Sequence, residues 1–486
     1  MKNQDTLSRP PSSETAVTAP PRKLLWLIVG LFLLLVIGSV TSVVVFRNVL
    51  RPGQQQRVID QLPFMQAFLP RPASDTVPTA APVNNGISPE DLLNAPLVNP
   101  TNSAPQPAGE VTLEAVGMAA TPVPPTATPT PPPTATPLPP TAQPVLAQPA
   151  SQLVLAQNNG GSISTAANTS LPPAARMYGF THVQQTWNNC GPANVTMALS
   201  FYGWRESQDV AASYLKPDSE DKNVSPGEMV TFINDQTGVR AVTRIGGDMD
   251  LLKAFIAANF PIIIETGYSP EGYDWIGHYQ TVVGYDDNQR VFYVYDSFLG
   301  TGEAGAGLAE SYDSFDAGWQ AFNRVFIVLY EREREGLVQQ ILGDRADLTL
   351  AAENALIVAQ NEARAQPQNA FAWFNIGTSM VKLERFEEAA VAYDRARQLG
   401  LPFRMLWYQF GMFEAYYNAG RYDDVMALVN TNLTNGAQYV EETYYWQGRA
   451  YAAQGQTQEA AAAYQRALLR NPRYSAAREA LDALNA

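Results

Sequence analysis

The sequence predicts an α+β domain followed by an all-α repeat domain, with one membrane-spanning helix and a long linker before them. Three observations support this prediction. Residues 24–46 form an apolar run without a charge. Of the 37 prolines, 29 lie at or before Pro173, so packed cores are expected only after about residue 175. Finally, residues 331–486 repeat small and aromatic residues at helical spacing.

The apolar run reads LLWLIVGLFLLLVIGSVTSVVVF, 23 residues bounded by Arg22-Lys23 and Arg47. This length spans a bilayer core. A cleaved signal peptide is the alternative, but its apolar region should be 7–15 residues long and end in small residues. A small excess of basic residues before the run favours a cytoplasmic tail at 1–23 and folded domains outside the cytoplasm. We therefore predict a single-pass protein of the cell membrane.

Residues 47–175 contain no periodic element apart from a short helix predicted around 58–68. Within this stretch, residues 121–144 read TPVPPTATPTPPPTATPLPPTAQP. Such a Pro/Thr tract forms polyproline II and cannot bury a core. The whole stretch is predicted to be a disordered stalk. As a coil it would hold the folded domains roughly 60 Å from the membrane.

Charge and cysteine content exclude several classes of function. The net charge is −14, and residues 176–330 carry 9 Lys/Arg against 19 Asp/Glu. Such an acidic chain lacks the basic surface that neutralises phosphates, which argues against nucleic-acid binding. One cysteine excludes an intrachain disulfide, and one cysteine with two histidines can scarcely form a zinc site. No metal or cofactor is predicted.

The single cysteine lies in HVQQTWNNCGPANVTMALSFYG, just before residues with helical spacing. Cys190 is therefore predicted at a helix N-terminus, where the backbone N–H groups and the helix dipole favour thiolate over thiol. A buried cysteine acting as a small hydrophobic residue is the alternative. The polar pair Asn188-Asn189 argues against that alternative. Cys190 is a candidate nucleophile.

The candidate base is His278, which opens HYQTVVGY, the first strand of a predicted hairpin whose second strand is RVFYVYDS. If Tyr285 pairs with Gln289, His278 and Asp296 are direct cross-strand neighbours. A loop longer by one residue would pair His278 with Ser297 instead. An imidazole oriented by a carboxylate would complete a Cys-His-Asp triad. The other histidine, His182, is predicted to be a surface or packing residue.

Three segments, QQTWNNCGPA, GHYQTVVGYDD and YVYDSF, together resemble the bacterial papain-like peptidases related to the double-glycine, bacteriocin-processing family, in the form that is not fused to a transporter. The resemblance implies a papain-like peptidase domain over residues 176–330. It further implies that Cys190 is the nucleophile, His278 the base and Asp296 the orienting residue.

The same resemblance implies a glutamine before the cysteine whose amide helps to form the oxyanion hole. Gln184 stands six residues before Cys190, the usual papain-like interval, whereas Gln185 stands five before it. We favour Gln185. The backbone N–H of Cys190 would be the second donor.

The segments between these motifs fit an α+β fold. Ser225 and Glu228 form a capping box that predicts a helix to about 237, and Asp248 caps a predicted helix to about 259. Strands are predicted at 239–245, in PIIIET, and at 326–330. The aromatic-rich segment 267–277 is predicted to be either a substrate wall or a surface turn with Trp275 packed beneath it.

Residues 331–486 resemble tetratricopeptide repeats. Alignment of Ala389, Val425 and Ala460 gives spacings of 36 and 35, close to the 34 of that family. The last unit matches best, a weaker unit precedes the three around 343–367, and the middle unit has Phe413 where a glycine belongs. The resemblance implies a concave surface for a peptide or partner protein. A packing cap on the preceding domain is the alternative.

The predicted function is that of a membrane-anchored, extracytoplasmic cysteine peptidase that cleaves peptide or protein substrates, with the repeats recruiting a substrate or partner. The same triad could also run amide transfer or the hydrolysis of small amides. Outside the enzymes, the alternative is a surface-tethered scaffold that binds peptides without cutting them. An intact set of cysteine, histidine and aspartate favours the enzyme.

Overall fold

The computed structural model describes residues 22–69, 75–81, 86–94, 171–270 and 274–484. The N-terminal helices are α1 (Arg22–Asn48), α2 (Pro52–Gln61) and α3 (Pro89–Leu93), with a 3-10 helix at Pro63–Phe68 between the last two.

A seven-stranded sheet with helices on both faces forms the next part of the chain, named here the sheet domain (residues 174–330). Its strands are β1 (Ala174–Arg176), β2 (Arg240–Arg244), β3 (Ile262–Tyr268), β4 (Ile276–Asp286), β5 (Val291–Asp296), β6 (Leu308–Ser311) and β7 (Phe326–Tyr330). Its helices are α4 (Cys190–Ser200), α5 (Gln208–Leu215), α6 (Pro226–Gln236), α7 (Met249–Ala257) and α8 (Tyr312–Gln320).

The sheet has the strand order β2-β7-β3-β4-β5-β6, and β1 pairs with the far end of β4. One face packs on α7 and α8 through residues such as Phe255 and Trp319, and the other packs on α4 and α6 through residues such as Leu199 and Phe232. Both faces are covered, so alternate residues of the strand PIIIET enter opposite cores: Ile262 and Ile264 one core, Ile263 the other. This explains why β3 is a continuous apolar run.

The predicted helix caps of the sheet domain are confirmed. The Ser225 side chain accepts a hydrogen bond from the Glu228 N–H, and the Glu228 side chain accepts from the Ser225 N–H. Asp248 accepts from Leu251 at the start of α7. Both helix starts could be predicted from sequence because a capping side chain accepts hydrogen bonds from backbone N–H groups of the first helical turn, only two or three residues away.

The predicted register of the β4–β5 hairpin is wrong. Asp286 pairs with Val291, and after an irregularity between Val282 and Gly284 the pairing shifts so that Gln280 faces Asp296. His278 and Asp296 are therefore diagonal rather than direct neighbours. The prediction used a shorter loop and no bulge, and a bulge inserts one unpaired residue that local sequence does not reveal.

The C-terminal part is helical and is named here the repeat region (residues 335–484). Its helices are α9 (Glu335–Leu342), α10 (Leu348–Ala365), α11 (Ala370–Lys382), α12 (Phe386–Leu399), α13 (Met405–Tyr408), α14 (Gly411–Asn418), α15 (Tyr422–Thr434), α16 (Glu441–Ala453), α17 (Thr457–Arg470) and α18 (Ser475–Leu484).

Small residues let the paired helices of the repeat region approach closely. A Cβ on Gly377 of α11 would lie 2.7 Å from the ring of Tyr393 on α12, and Gly448 on α16 faces the ring of Tyr464 on α17 in the same way. In the middle unit, Phe413 occupies the glycine position. There α14 is short and is preceded by the separate helix α13, so the chain departs from the regular helix pair.

We expect Gly377→Ala to destabilise the repeat region by about 1–3 kcal/mol, because the added methyl group overpacks against a fully buried ring. Gly336→Ala is a matched control on α9, where a Cβ would meet nothing within 4 Å. The control should be neutral or stabilising by up to about 1 kcal/mol. Thermal unfolding followed by circular dichroism measures both. Equal melting temperatures for the two variants would contradict this packing account.

The sheet domain and the repeat region pack together. Trp275 stacks between Phe322 of the sheet domain and Phe371 of α11, with ring centroids 5.9 Å apart in each case. The Arg324 guanidinium lies 2.6 Å from the Glu362 carboxylate of α10. Trp275 is therefore a packing residue at the domain interface, which agrees with the second of the two readings of its segment.

The predicted stalk does not begin at residue 47. The structure shows α2, the 3-10 helix and α3 within 47–94, and α2, Val77 and α3 contact the folded domains. The Val77 N–H donates to the Leu401 carbonyl, and the Gln360 side chain donates to the Leu92 carbonyl. Local sequence missed this because the contacts join residues more than 200 positions apart. The Pro/Thr tract 121–144 and the tail 1–21 lie outside the described residues.

Residues Gly30–Asn48 of α1 are long and apolar enough to cross a membrane, with a mean hydropathy of 2.2. Only 6% of this window is buried inside the protein. A core helix of a soluble domain would be mostly buried, whereas a signal sequence would share this exposure. The helix is thus a candidate span by its length and composition.

Candidate active site

Cys190 lies at the first position of α4, as its sequence neighbours predicted. The preceding residue pair turns sharply, because Asn188 adopts a left-handed φ of 54°. The buried ammonium of Lys216 donates to the carbonyl oxygens of Trp187 at 3.3 Å and Asn188 at 2.9 Å. These two bonds fix the backbone that leads into the cysteine.

His278 and Asp296 meet behind the thiol. The His278 Nε2 donates to the Asp296 Oδ1 at 2.9 Å, and the His278 side chain also hydrogen-bonds Cys190. The side chains of His278 and Asp296 are 3% and 0% exposed. The three predicted triad residues are therefore in one hydrogen-bonded chain from thiol to carboxylate.

The carboxylate of Asp296 is held from several sides. Its Oδ1 also accepts from the backbone N–H groups of Phe298 at 2.7 Å and Leu299 at 2.8 Å. Its Oδ2 accepts from the Gln280 side chain at 3.1 Å. With so many donors the carboxylate cannot rotate freely, so it fixes the orientation of the imidazole.

The electrostatics favour a thiolate–imidazolium pair. Burial alone would raise the pKa of the Cys190 thiol, but the hydrogen bond and charge of His278, followed by the charge of Lys216, lower this pKa below its usual range. Burial alone would lower the pKa of His278, but Asp296 and the thiol together raise it to about 10. Burial opposes ionisation of Asp296 as well, yet His278 and two backbone N–H groups lower its pKa to about 2.

The two candidate glutamines occupy different environments. Gln185 is half-buried, its Oε1 accepts from the Ser297 Oγ at 2.8 Å, and its backbone N–H donates to the Ser297 carbonyl at 2.8 Å. Gln184 is exposed, and its Nε2 donates to the Phe298 carbonyl at 3.1 Å. The Gln185 side chain is held through its Oε1, so its Nε2 hydrogens remain available to donate. The Gln184 Nε2, in contrast, already donates to the Phe298 carbonyl.

Asn194 is a residue of this site that sequence reasoning missed. It is fully buried on α4, and its Nδ2 donates to the carbonyls of Cys190 at 2.9 Å and Tyr279 at 2.8 Å. Its Oδ1 accepts from the Thr281 hydroxyl at 2.8 Å. Asn194 thus joins the helix of Cys190 to the strand of His278. An amide one turn into an apolar helix was the signal available in the sequence.

His182 lies beside the end of β5, against the backbone of Asp296. Its Nε2 donates to the Asp296 carbonyl at 2.9 Å, and its ring packs edge-on against Tyr295. It contacts the backbone of Asp296 and not the Cys190 thiol. This is the packing position that the sequence predicted for it.

A narrow cavity of about 10 Å³ lies beside the thiol. Its lining includes Cys190, His278, the buried carboxyl of Glu265, Lys222, and Tyr408 from α13 of the repeat region. Tyr408 packs its ring where a Cβ on Gly277 would otherwise sit. A side chain of the repeat region therefore forms one wall of the site, which sequence reasoning did not predict.

Comparison with known proteins gives three findings. Residues 178–326 match the model of the peptidase C39-like family, and residues 441–474 match the tetratricopeptide repeat model. A crystal structure described as that of a C39-like peptidase from Bacillus anthracis is similar at 16% identity, covering 33% of this chain and 98% of that one, with a TM-score of 0.28. No curated protein is significantly similar to the sequence. Residues 178–326 are therefore similar to the peptidase C39-like family, and residues 441–474 are similar to a tetratricopeptide repeat.

Proposed function

We propose that the chain is a membrane-anchored, extracytoplasmic cysteine peptidase that cleaves peptide or protein substrates with Cys190, His278 and Asp296. The observation that carries this proposal is the hydrogen-bonded chain from the thiol at the start of α4 to the buried carboxylate. Its three residue types and their order are those of a nucleophile, a base and an orienting group. The match to the peptidase C39-like family supports the same reading.

In the proposed mechanism, the Cys190 thiolate attacks the carbonyl carbon of the scissile amide. The backbone N–H of Cys190 and the Nε2 of Gln185 donate to the oxyanion that forms. The His278 imidazolium then protonates the leaving amine, and the acyl group stays on sulfur. Neutral His278 next removes a proton from water, which hydrolyses the thioester and restores the ion pair.

Two further parts of the proposal concern location and recruitment. The apolar helix α1 is proposed to be an uncleaved span, with residues 1–23 in the cytoplasm and the folded domains outside. The repeat region is proposed to bind a partner protein or part of the substrate, as tetratricopeptide repeats commonly do. Its packing against the sheet domain through Trp275 supports a second, structural role for the same region.

A peptide ester tests the proposed chemistry with the full chain in detergent. We expect a burst of released alcohol equal to the enzyme concentration, because the acyl-enzyme forms faster than it hydrolyses. The Cys190→Ala variant should give no burst. A folded wild-type protein without a burst would favour the non-catalytic scaffold. A burst followed by transfer to an added amine, without hydrolysis, would favour the transferase.

A further inference from the structure

The segment that follows α1 folds back on the end of that helix. Phe46, near the end of α1, is buried against Ile59 of α2 and Met65 of the 3-10 helix. Residues 49–69 are named here the juxtamembrane segment. This small apolar core packs the end of the candidate span against α2. The end of the span and α2 therefore lie next to each other.

The juxtamembrane segment is docked on the sheet domain beside the nucleophile loop. Arg51 forms an ion pair with Asp218 at 2.6 Å. The Gly53 N–H donates to the Glu220 carboxylate at 2.9 Å, and the indole N–H of Trp187 donates to the same oxygen at 2.9 Å. A Cβ on Gly53 would lie 3.0 Å from the Trp187 ring, so the two segments touch directly.

These contacts limit the distance between the candidate membrane span and the thiol. Asn48 ends α1 five residues before Gly53, and Trp187 stands three residues before Cys190. At a maximum of about 3.6 Å per residue, plus one side-chain contact, Cys190 lies within about 35 Å of the end of α1. A free coil from 47 to 175 would instead place it roughly 60 Å away.

Residues 95–170 do not determine this distance. They connect α3, where the Gln360 side chain holds the Leu92 carbonyl, to β1, which pairs with β4. Both ends of the connection are therefore fixed on the same folded body. Within the described part of the chain, the juxtamembrane segment is what joins that body to α1.

The surface of the juxtamembrane segment has the chemistry of a lipid-contacting surface. Four of its apolar side chains are between 39% and 69% exposed: Val49, Leu62, Phe64 and Phe68. The stretch from Arg47 to Leu69 carries three arginines and one aspartate, in a protein of net charge −14. Arg51 is paired with Asp218, so Arg47 and Arg57 are the exposed arginines that can face lipid headgroups. Aromatic rings and arginines at the end of a membrane helix fit the headgroup region and attract anionic lipids.

We propose that the juxtamembrane segment lies in the lipid headgroup region and holds Cys190 at the membrane surface, so that the substrates are peptide segments presented close to the bilayer. This inference rests on the proposed function, since it requires both the membrane span and the peptidase. The class of substrate that fits is a membrane-attached protein cut near its membrane-proximal end.

Energy transfer tests the inference in vesicles that contain anionic lipids. Because Cys190 is the single cysteine, a maleimide dye on its sulfur reports the distance from the site to an acceptor dye on the lipid headgroups. We expect transfer that corresponds to no more than about 35 Å. The Cys190→Ala, Glu206→Cys double variant repeats the measurement with a dye on an exposed residue of the sheet domain, independently of thiol reactivity.

A variant that disrupts the contact between the juxtamembrane segment and the sheet domain provides the comparison for the energy-transfer measurement. Arg51→Glu combined with Gly53→Glu places carboxylates against Asp218 and Glu220 and should lower the transfer while the protein still floats with the vesicles. Gln54→Glu adds a negative charge in the same turn without facing those acids and should leave the transfer unchanged. Wild-type protein that floats with little transfer would overturn the inference alone. Protein that does not float would overturn the membrane anchor, and the inference with it.

Discussion

The His278→Ala variant is expected to lose about a thousandfold in kcat/KM for a peptide substrate, because general acid–base catalysis by a positioned side chain contributes a factor of this order. It should also raise the pH at which Cys190 is alkylated by iodoacetamide. In the wild type, burial opposes the thiolate, but His278 outweighs burial and lowers the thiol pKa. Without the imidazole, burial is opposed mainly by Lys216, so the thiol pKa should rise above the ordinary value of about 8.5.

The pH profile of the wild type follows from the same ion pair. Alkylation should be appreciable at about pH 6, because the thiolate persists below the ordinary thiol pKa. Activity should fall at high pH as His278 loses its proton near its raised pKa of about 10. His182→Ala is the matched control, since His182 contacts the Asp296 carbonyl and not the thiol. An identical thiol titration in His278→Ala and wild type would contradict the ion pair and favour the scaffold.

The second large effect is expected at Asp296, where asparagine and alanine should differ. With a thiolate nucleophile, both ring nitrogens of His278 carry protons, so the orienting residue needs only to accept a hydrogen bond. Asp296→Asn keeps an oxygen for His278 and for the N–H groups of Phe298 and Leu299. It should therefore retain much of the activity. Asp296→Ala should lose tenfold or more in kcat/KM, equivalent to at least about 1.4 kcal/mol.

The side chain of Gln280 determines how the Asp296→Asn variant can be accommodated. The Gln280 Nε2 donates to the Asp296 Oδ2 at 3.1 Å and would face the new amide nitrogen, while the Gln280 Oε1 is buried without a partner among the described residues. Rotation of the Gln280 amide would turn its Oε1 towards the new amide nitrogen, but it would also break the hydrogen bond that the Gln280 Nε2 donates to the Glu310 carboxylate at 2.7 Å. Gln280→Ala in the Asp296→Asn background is the control that removes the conflict altogether. Circular dichroism and thermal melts establish that each variant folds.

Two outcomes of this comparison would contradict the account. If asparagine and alanine are equally damaging, the charge of the carboxylate is required and orientation alone is not its role. If neither change affects kcat/KM, Asp296 does not act on His278 during catalysis. The hydrogen bond of 2.9 Å between them would then be structural.

Local sequence was sufficient for much of the fold. The capping box at Ser225, the cap at Asp248 and the helix that starts at Cys190 each depend on contacts within one turn, and each was predicted. The buried strand PIIIET and the helical repeats were likewise predicted from hydrophobic patterns and spacing. These features are short-range, so the residues that determine them lie close together in the sequence.

The face on which Asp296 lies was decided by the tertiary structure. At the turn, Tyr285 pairs with Phe292, and the same register continued along β4 would put Ser297 opposite Gln280. The irregularity between Val282 and Gly284 shifts the pairing by one residue, so Asp296 faces Gln280 instead and shares the face of His278. Because side chains alternate in a strand, this single residue decides whether the carboxylate reaches the imidazole.

The sequence by itself thus predicted the candidate catalytic residues and the elements that carry them, because these residues and the helix caps lie in short sequence motifs. Only the tertiary structure shows that the two glutamines differ in environment, since Ser297 holds the Gln185 amide while Gln184 is exposed, and this difference supports the proposal of Gln185. The tertiary structure also decided the position of the chain after α1. The contacts of Arg51 with Asp218 and of Gly53 with Glu220 join residues 167 positions apart, and no local pattern specifies such pairs.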